Sequence, residues 1–209
     1  MAQAFAASGA ADAAIQIGLE GLQRLLAPHA GTELARWVRD FATAHQVPAA
    51  ALEAGVALVQ GTVLLDDYVW VEARAGDRWD ALRVQILEAI RNIRYPREEL
   101  AKILLYERLY DEAIELANTD RAPGLVACVV DGVGKTHSDG AISACRRQFN
   151  QIADPGRSKY YPAAAEWVRR IRDILGATGR RAEWGPLVGE LITTHYRKRS
   201  LRPLLEALR

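Results

Sequence analysis

Cysteine and proline are scarce in this 209-residue chain, and long apolar runs are missing. Two cysteines, Cys128 and Cys145, are too few for a disulfide scaffold or a four-cysteine zinc site. They read as two small buried hydrophobes in a reducing compartment. Eight prolines, with half the residues hydrophobic and a quarter charged, fit a folded globular chain and not a disordered tail. No apolar run approaches the ~20 residues that cross a bilayer, and Met1–Ala14 lacks the basic start and compact apolar centre of a secretory signal. The expectation is a cytoplasmic protein that does not enter membranes.

The formal net charge of +1 conceals an asymmetry. Residues 1–139 carry 13 Lys and Arg against 20 Asp and Glu, whereas residues 140–209 carry 14 against 6. Such polarity favours an acidic partner near the carboxy end, or head-to-tail packing of acidic on basic surface. Solvated helix faces would produce the same totals.

Apolar residues recur at steps of three and four, which places them on one helical face. The spacing predicts a first helix over Ala11–Ala27, with Ala14, Ile15, Ile17, Leu19, Leu22, Leu25 and Leu26 as its buried stripe. Pro28-His29-Ala30-Gly31 ends it, and Thr32 suits an N-cap for a second helix that turns Leu34, Trp37, Val38 and Phe41 inward. Pro48 opens a third helix, predicted to run to Gln60 and to break at Gly61. Thr62–Arg74 has strand-like composition but helical neighbours, and reads as helix. Asp77 is the expected cap of a helix over Arg78–Asn92 striped by Trp79, Leu82, Ile86, Ala89 and Ile90.

Beyond Pro96, helices are predicted over Glu98–Glu107 and Tyr110–Ala117 as a tight hairpin. Gly124–Val133, Ser138–Ala153, Lys159–Leu175, Glu183–Tyr196 and Leu201–Leu208 follow. Two segments echo each other: Ala11-Asp12-Ala13-Ala14-Ile15-Gln16-Ile17-Gly18 and Tyr110-Asp111-Glu112-Ala113-Ile114-Glu115-Leu116-Ala117. Small residues at such positions let one helix of a hairpin lie close to the other, as in tetratricopeptide-type arrays. The fold class expected is all-α: antiparallel hairpins stacked as a TPR-like solenoid or a right-handed superhelical bundle. It forms one domain over 1–209, acidic over 1–95 and basic toward the end of 96–209.

The carboxy-terminal half resembles the helical region of bacterial proteins that carry a SWIM zinc finger. The residues that carry the resemblance are Tyr110-Asp111-Glu112-Ala113-Ile114, Ala144-Cys145-Arg146-Arg147-Gln148, and Lys159-Tyr160-Tyr161 with Ala164, Ala165, Trp167, Arg169 and Arg170. Gly179-Arg180, Ala182-Glu183-Trp184 and His195-Tyr196-Arg197-Lys198-Arg199 with Leu201-Arg202-Pro203-Leu204-Leu205 complete them. The similarity covers Glu98–Leu208 and, less closely, Ala11–Asn92. It implies a helical scaffold that works beside a zinc-finger or nucleic-acid-processing component. The finger itself, a Cys-x-Cys pair followed by Cys-x-His, has no counterpart here, so no metal is carried over.

Gly132-Val133-Gly134-Lys135-Thr136 has the look of a phosphate loop but lacks its parts. The glycine required five residues before Gly134 is Val129, and His137-Ser138-Asp139-Gly140 reads as a polar turn. An interhelical loop is expected there. His29, His45, His137 and His195 are scattered without metal-ligand spacing and read as surface or cap residues. Asp66-Asp67 and Glu98-Glu99 fit helix amino termini. With no catalytic constellation to assemble, the sequence points to binding and not to an enzyme, with no cofactor.

The candidate contact residues are Arg146, Arg147, Lys159, Arg169, Arg170, Arg180, Arg181, Arg197, Lys198, Arg199 and Arg202. Interleaved with Tyr160, Tyr161, Trp167, Trp184 and Tyr196, they form a mixture that holds phosphates and stacks on bases. Helical spacing assigns Trp167 and Trp184 to the core, which leaves Arg197-Lys198-Arg199 as the exposed cluster. The leading expectation is a scaffold for a protein partner; the other is nucleic-acid binding by this basic surface.

Overall fold

The computed structural model describes residues 10–25, 28–91 and 96–209, with the side chains of Pro28 and His29 excepted. Every regular element among the described residues is helical. The chain forms two compact units that divide between Ile103 and Leu104.

The first unit holds α1 (Ala11–Gln23), α2 (Thr32–Ala44), α3 (Pro48–Thr62), α4 (Leu65–Ala75) and α5 (Trp79–Arg91). Helix α3 is its centre and packs against the other four. Its sequence explains this, because Ala50, Ala51, Leu52, Ala54, Gly55, Val56, Leu58, Val59 and Gly61 are buried around the whole circumference. Helix α1 also packs on α2 and α4 on α5, while α1 and α5 each reach α3 across an intervening helix. The approach of α1 to α2 depends on Gly18: a Cβ there would lie 2.5 Å from Cγ2 of Val38, a fully buried side chain. Gly55 likewise admits the Trp70 ring, 2.7 Å from where its Cβ would be.

In the second unit, α7 (Tyr110–Thr119), α8 (Pro123–Val133), α9 (Ser138–Ala153), α10 (Tyr161–Ala177), α11 (Trp184–Thr194) and α12 (Arg202–Glu206) each pack on the next. Contacts that skip one helix, α7 with α9 and α10 with α12, recur here too. Helix α6 (Arg97–Tyr106) contains the division. The most extensive packing in this unit joins α9 to α10, and both helices bury small residues, Ala141 and Ala144 on the first and Ala164 and Ala165 on the second. Trp167 is buried as expected; Trp184 is half-buried and donates from Nε1 to the carbonyl of Leu208 at 3.2 Å.

The echoed segments bury their small residues at matching positions, Ala14 with Ala113 and Gly18 with Ala117, but differ at the large ones. Ala14, Ile15 and Gly18 face inward in the first, and Ala113, Leu116 and Ala117 in the second.

Several boundaries differ from the sequence reading. Helix α1 stops at Gln23, so Leu25 is 41% exposed; Leu26 and Ala27 lie outside the described residues, as does Asn92. Thr32 is the first helical residue, with Gly31 in the N-cap position. Asp77 sits inside a 3-10 turn, Gly76–Arg78, and α5 begins at Trp79 with Ala89 exposed. Helix α3 runs through Gly61 and ends where Val63 turns left-handed at φ 55°. Val63 is fully buried, so tertiary burial outweighs the ordinary cost of that backbone for a β-branched residue. Lys159 and Glu183 fall in short 3-10 turns that precede α10 and α11.

Leu125–Val130 is helix, and Gly132 and Val133 complete it, so the glycine-lysine motif is an interhelical turn as expected. No described helix is long and apolar enough to cross a membrane.

Candidate functional site

The first candidate surface is a groove in the first unit, built from alternate helices. Leu19 and Leu22 of α1, Leu52 and Val56 of α3 and Leu82 of α5 form its floor, with a volume of about 450 Å³. Leu19, Leu52, Val56 and Leu82 keep only 5–9% of their surface exposed, so the floor is apolar but shallow. The rim is rich in amides: Gln23, Gln60 and Gln85, together with Glu53 and Arg78. Gln23 donates from Nε2 to Glu53 at 3.2 Å and so fixes one edge. Two small residues complete the lining, Ala49, exposed, and Ala57, half-buried, both on α3.

The second is the basic surface of the second unit. Most of its candidate residues are engaged by neighbours. Arg146 pairs with Glu190 at 3.1 Å. Arg147 donates to Ser143 and to the Asn118 amide oxygen. Arg169 pairs with Glu166, and Arg170 with Asp131. Arg202 pairs with Glu206 at 2.7 Å. Arg180 is the most heavily bound: it reaches Glu183 with two nitrogens, Asp139 at 2.6 Å and Ser138 at 2.9 Å. Those hydrogen bonds, to Glu183 first and then Asp139, raise the guanidinium pKa, and the same contact lowers that of Glu183. Arg169 and Arg202 thus pair within their own helices, whereas Arg146, Arg147, Arg170 and Arg180 reach other elements.

Lys198 belongs with them. Its Nζ donates to the Ala153 carbonyl and lies 3.8 Å from Asp154, so it is the tied member of the Arg197-Lys198-Arg199 run. Arg181 is exposed in an open pocket beside Arg172 and Trp184. Lys159 lies over the Tyr160 ring, 4.7 Å from its centroid, and Arg197 over that of Tyr196 at 5.4 Å. Arg199 is exposed.

Asp67 lies in the first turn of α4 and His195 at the carboxy end of α11, as the sequence suggests, but their partners come from distant parts of the chain. Asp67 accepts from Arg39 at 2.7 Å and from Thr62 Oγ1 at 3.0 Å, both half-sheltered, and so ties the start of α4 to α2 and to the end of α3. Burial opposes the Arg39 charge, but the hydrogen bonds to Asp40 and Asp67 outweigh it and raise its pKa.

His195 is not a surface histidine. It follows the last turn of α11, is 7% exposed, and sets its ring against that of Phe149 edge-on at 5.2 Å. Burial, aided by the Lys198 charge and opposed by Asp154, holds its imidazole below the ordinary value of 6.5. The folded chain therefore favours the neutral ring. As pH falls through 6.5 the unfolded chain takes up a proton that the folded chain resists, so stability drops until the folded-state value is passed. The melting temperature is expected to be lower at pH 5.5 than at 7.5, and His195→Leu should narrow that gap. An unchanged gap in the variant would assign the acid sensitivity to other groups.

Cys145 is buried, and desolvation pushes its thiol up to about 12, which keeps it protonated and unreactive. Among the described residues no group of three or more His, Cys, Asp or Glu side chains is placed to hold a metal ion. Comparison of the chain with protein-family models, with curated proteins and with solved structures gives no match.

Proposed function

We propose that this chain is a non-catalytic α-helical binding module that holds a protein partner by a short extended segment laid in the groove across α1, α3 and α5. The observation that carries the reading is the pairing of an apolar floor with a rim of glutamines. An extended segment presents alternating unpaired N–H and C=O groups, and a primary amide offers both a donor and an acceptor to meet them. A partner helix has already satisfied its backbone groups and would leave those amides idle.

The helix contacts support a TPR-like arrangement. In stacked hairpins the first helices of successive hairpins touch and line one face. The skipped contacts α1 to α3 and α3 to α5 follow that order, and those three helices line the groove. The resemblance to helical regions of SWIM zinc finger proteins suits a module that works in a larger assembly, and the proposed setting is the cytoplasm.

Selection of peptides from a displayed library against the full chain tests the proposal, with Ala57→Trp as the decisive variant. The indole should fill the groove from a half-buried position while leaving helicity and unfolding midpoint unchanged. Affinity for selected peptides is expected to fall at least tenfold, and wild-type binding should change little between 50 and 300 mM salt. Wild-type affinity in Ala57→Trp would refute the groove as the binding site.

A further inference from the structure

Two turns meet at one end of the second unit. Residues 154–160 leave α9 and residues 195–201 leave α11, and Lys198 fastens the second turn to the first through the Ala153 carbonyl and Asp154. Beneath them the Phe149 and His195 rings pack together, so both turns rest on buried structure.

Asp154 is the one acidic residue in these two stretches, and it faces Lys198. Four further cations, Arg157, Lys159, Arg197 and Arg199, are exposed. Unlike Arg146, Arg169, Arg170, Arg180 and Arg202, none of the four has a carboxylate within ion-pair distance among the described residues. Tyr160 and Tyr196 accompany them, 45% and 56% exposed. Each turn thus presents an open aromatic ring next to cations.

We infer that this end of the second unit binds single-stranded nucleic acid, with Arg157, Lys159, Arg197 and Arg199 on phosphates and Tyr160 and Tyr196 as stacking platforms for bases. Phosphates satisfy cations that the protein leaves without carboxylates, and a ring held on one side by a cation keeps its other face for a base. An acidic protein segment would use the cations and leave the rings idle. A duplex keeps its base faces stacked inside, and an anionic membrane surface would reward inserted apolar side chains that these turns do not carry.

Fluorescence anisotropy of the full chain with labelled 20-nucleotide oligo(dT) and oligo(U) between 50 and 300 mM salt tests this inference. Four phosphate contacts to a single strand predict a log–log slope of about −3. Arg197→Glu/Arg199→Glu should weaken binding at least tenfold and flatten the slope. Tyr160→Ala/Tyr196→Ala should weaken it by roughly 30-fold or more, from about 1 kcal/mol or more per stacked base, and leave the slope unchanged, while Arg146→Gln should bind as wild type. Retained helicity in each variant excludes misfolding as the cause. Absence of binding at 50 mM salt overturns the inference. Equal competition by poly-glutamate or phosphatidylserine vesicles, with no effect of the tyrosine substitutions, overturns it too and leaves a generic polyanion surface.

Discussion

Leu58→Ala is expected to lower the unfolding free energy by about 2–5 kcal/mol, the range for deleting a fully enclosed leucine side chain. Leu58 lies on α3 with none of its surface exposed, in a helix that four others surround. A helix packed on one side can shift to fill a deletion; one enclosed on all sides moves only if several neighbours move with it. The void should therefore persist, and its walls should lose their dispersion contacts. Leu52→Ala supplies the internal comparison. Leu52 is on the same helix but forms part of the groove floor, where solvent already reaches it. Its truncation widens an open groove and seals no void, so the loss should fall nearer the bottom of the range. Denaturant titration of both variants at constant m-value measures the difference. Equal losses would mean that α3 relaxes as freely toward its centre as toward the groove.

The periodicity of the apolar residues was enough to place the helices, because burial of one face per helix is what the sequence records most redundantly. Ser138–Ala153 is helical over the span read from the sequence, and the starts of the helices at Ala11, Pro48 and Tyr110 were also legible. Helix ends were less so. Gln46 and Arg108 adopt left-handed conformations at φ 59°, and the following amides, of Val47 and Leu109, reach back to Ala42 and Leu104 at 2.9 and 2.8 Å. Such closures usually employ glycine, as Gly179 does where the Arg180 amide bonds to Leu175. Nothing in the local residue type announces them at Gln46 or Arg108. Gly61 shows the converse: a nominal breaker stays helical and buried, and the chain leaves the helix only at Val63.

The candidate surfaces follow the same division. A count of arginines reveals an excess of positive charge, but not which cations are already neutralised across 39 or 44 positions of sequence, as Arg170 is by Asp131 and Arg146 by Glu190. Pairing within and between helices removes most of the candidate cluster from consideration, and Arg157 belongs to the exposed remainder. The groove left only a faint trace in the sequence. Gln23, Gln60 and Gln85 flank the apolar stripes of three helices, and a polar residue at the edge of a stripe looks like any solvated one until the helices are assembled.

Phe149→Ala is expected to cost about 3–5 kcal/mol at pH 7.5, the range for removing a fully buried phenylalanine ring. It should also change how stability depends on pH. Phe149 is completely buried on α9, and its ring stands at 74° to that of His195. Removing it opens space beside the imidazole, a polar group that gives water a reason to enter. With water present, the desolvation that depresses the His195 pKa is relieved first, and the Lys198 charge is better screened. The folded-state value should then rise toward 6.5, and the share of acid destabilisation due to His195 should shrink. Phe149→Ala is thus expected to be much less stable than wild type at pH 7.5 while losing less additional stability on descent to pH 5.5. Phe149→Leu should preserve more of both the stability and the pH dependence, because it refills part of the space with apolar atoms. Titration of the His195 ring protons by NMR in the wild type and both variants separates the two effects. A large stability loss with an unmoved His195 pKa would show that the remainder of its surroundings, and not Phe149, keeps water from the ring.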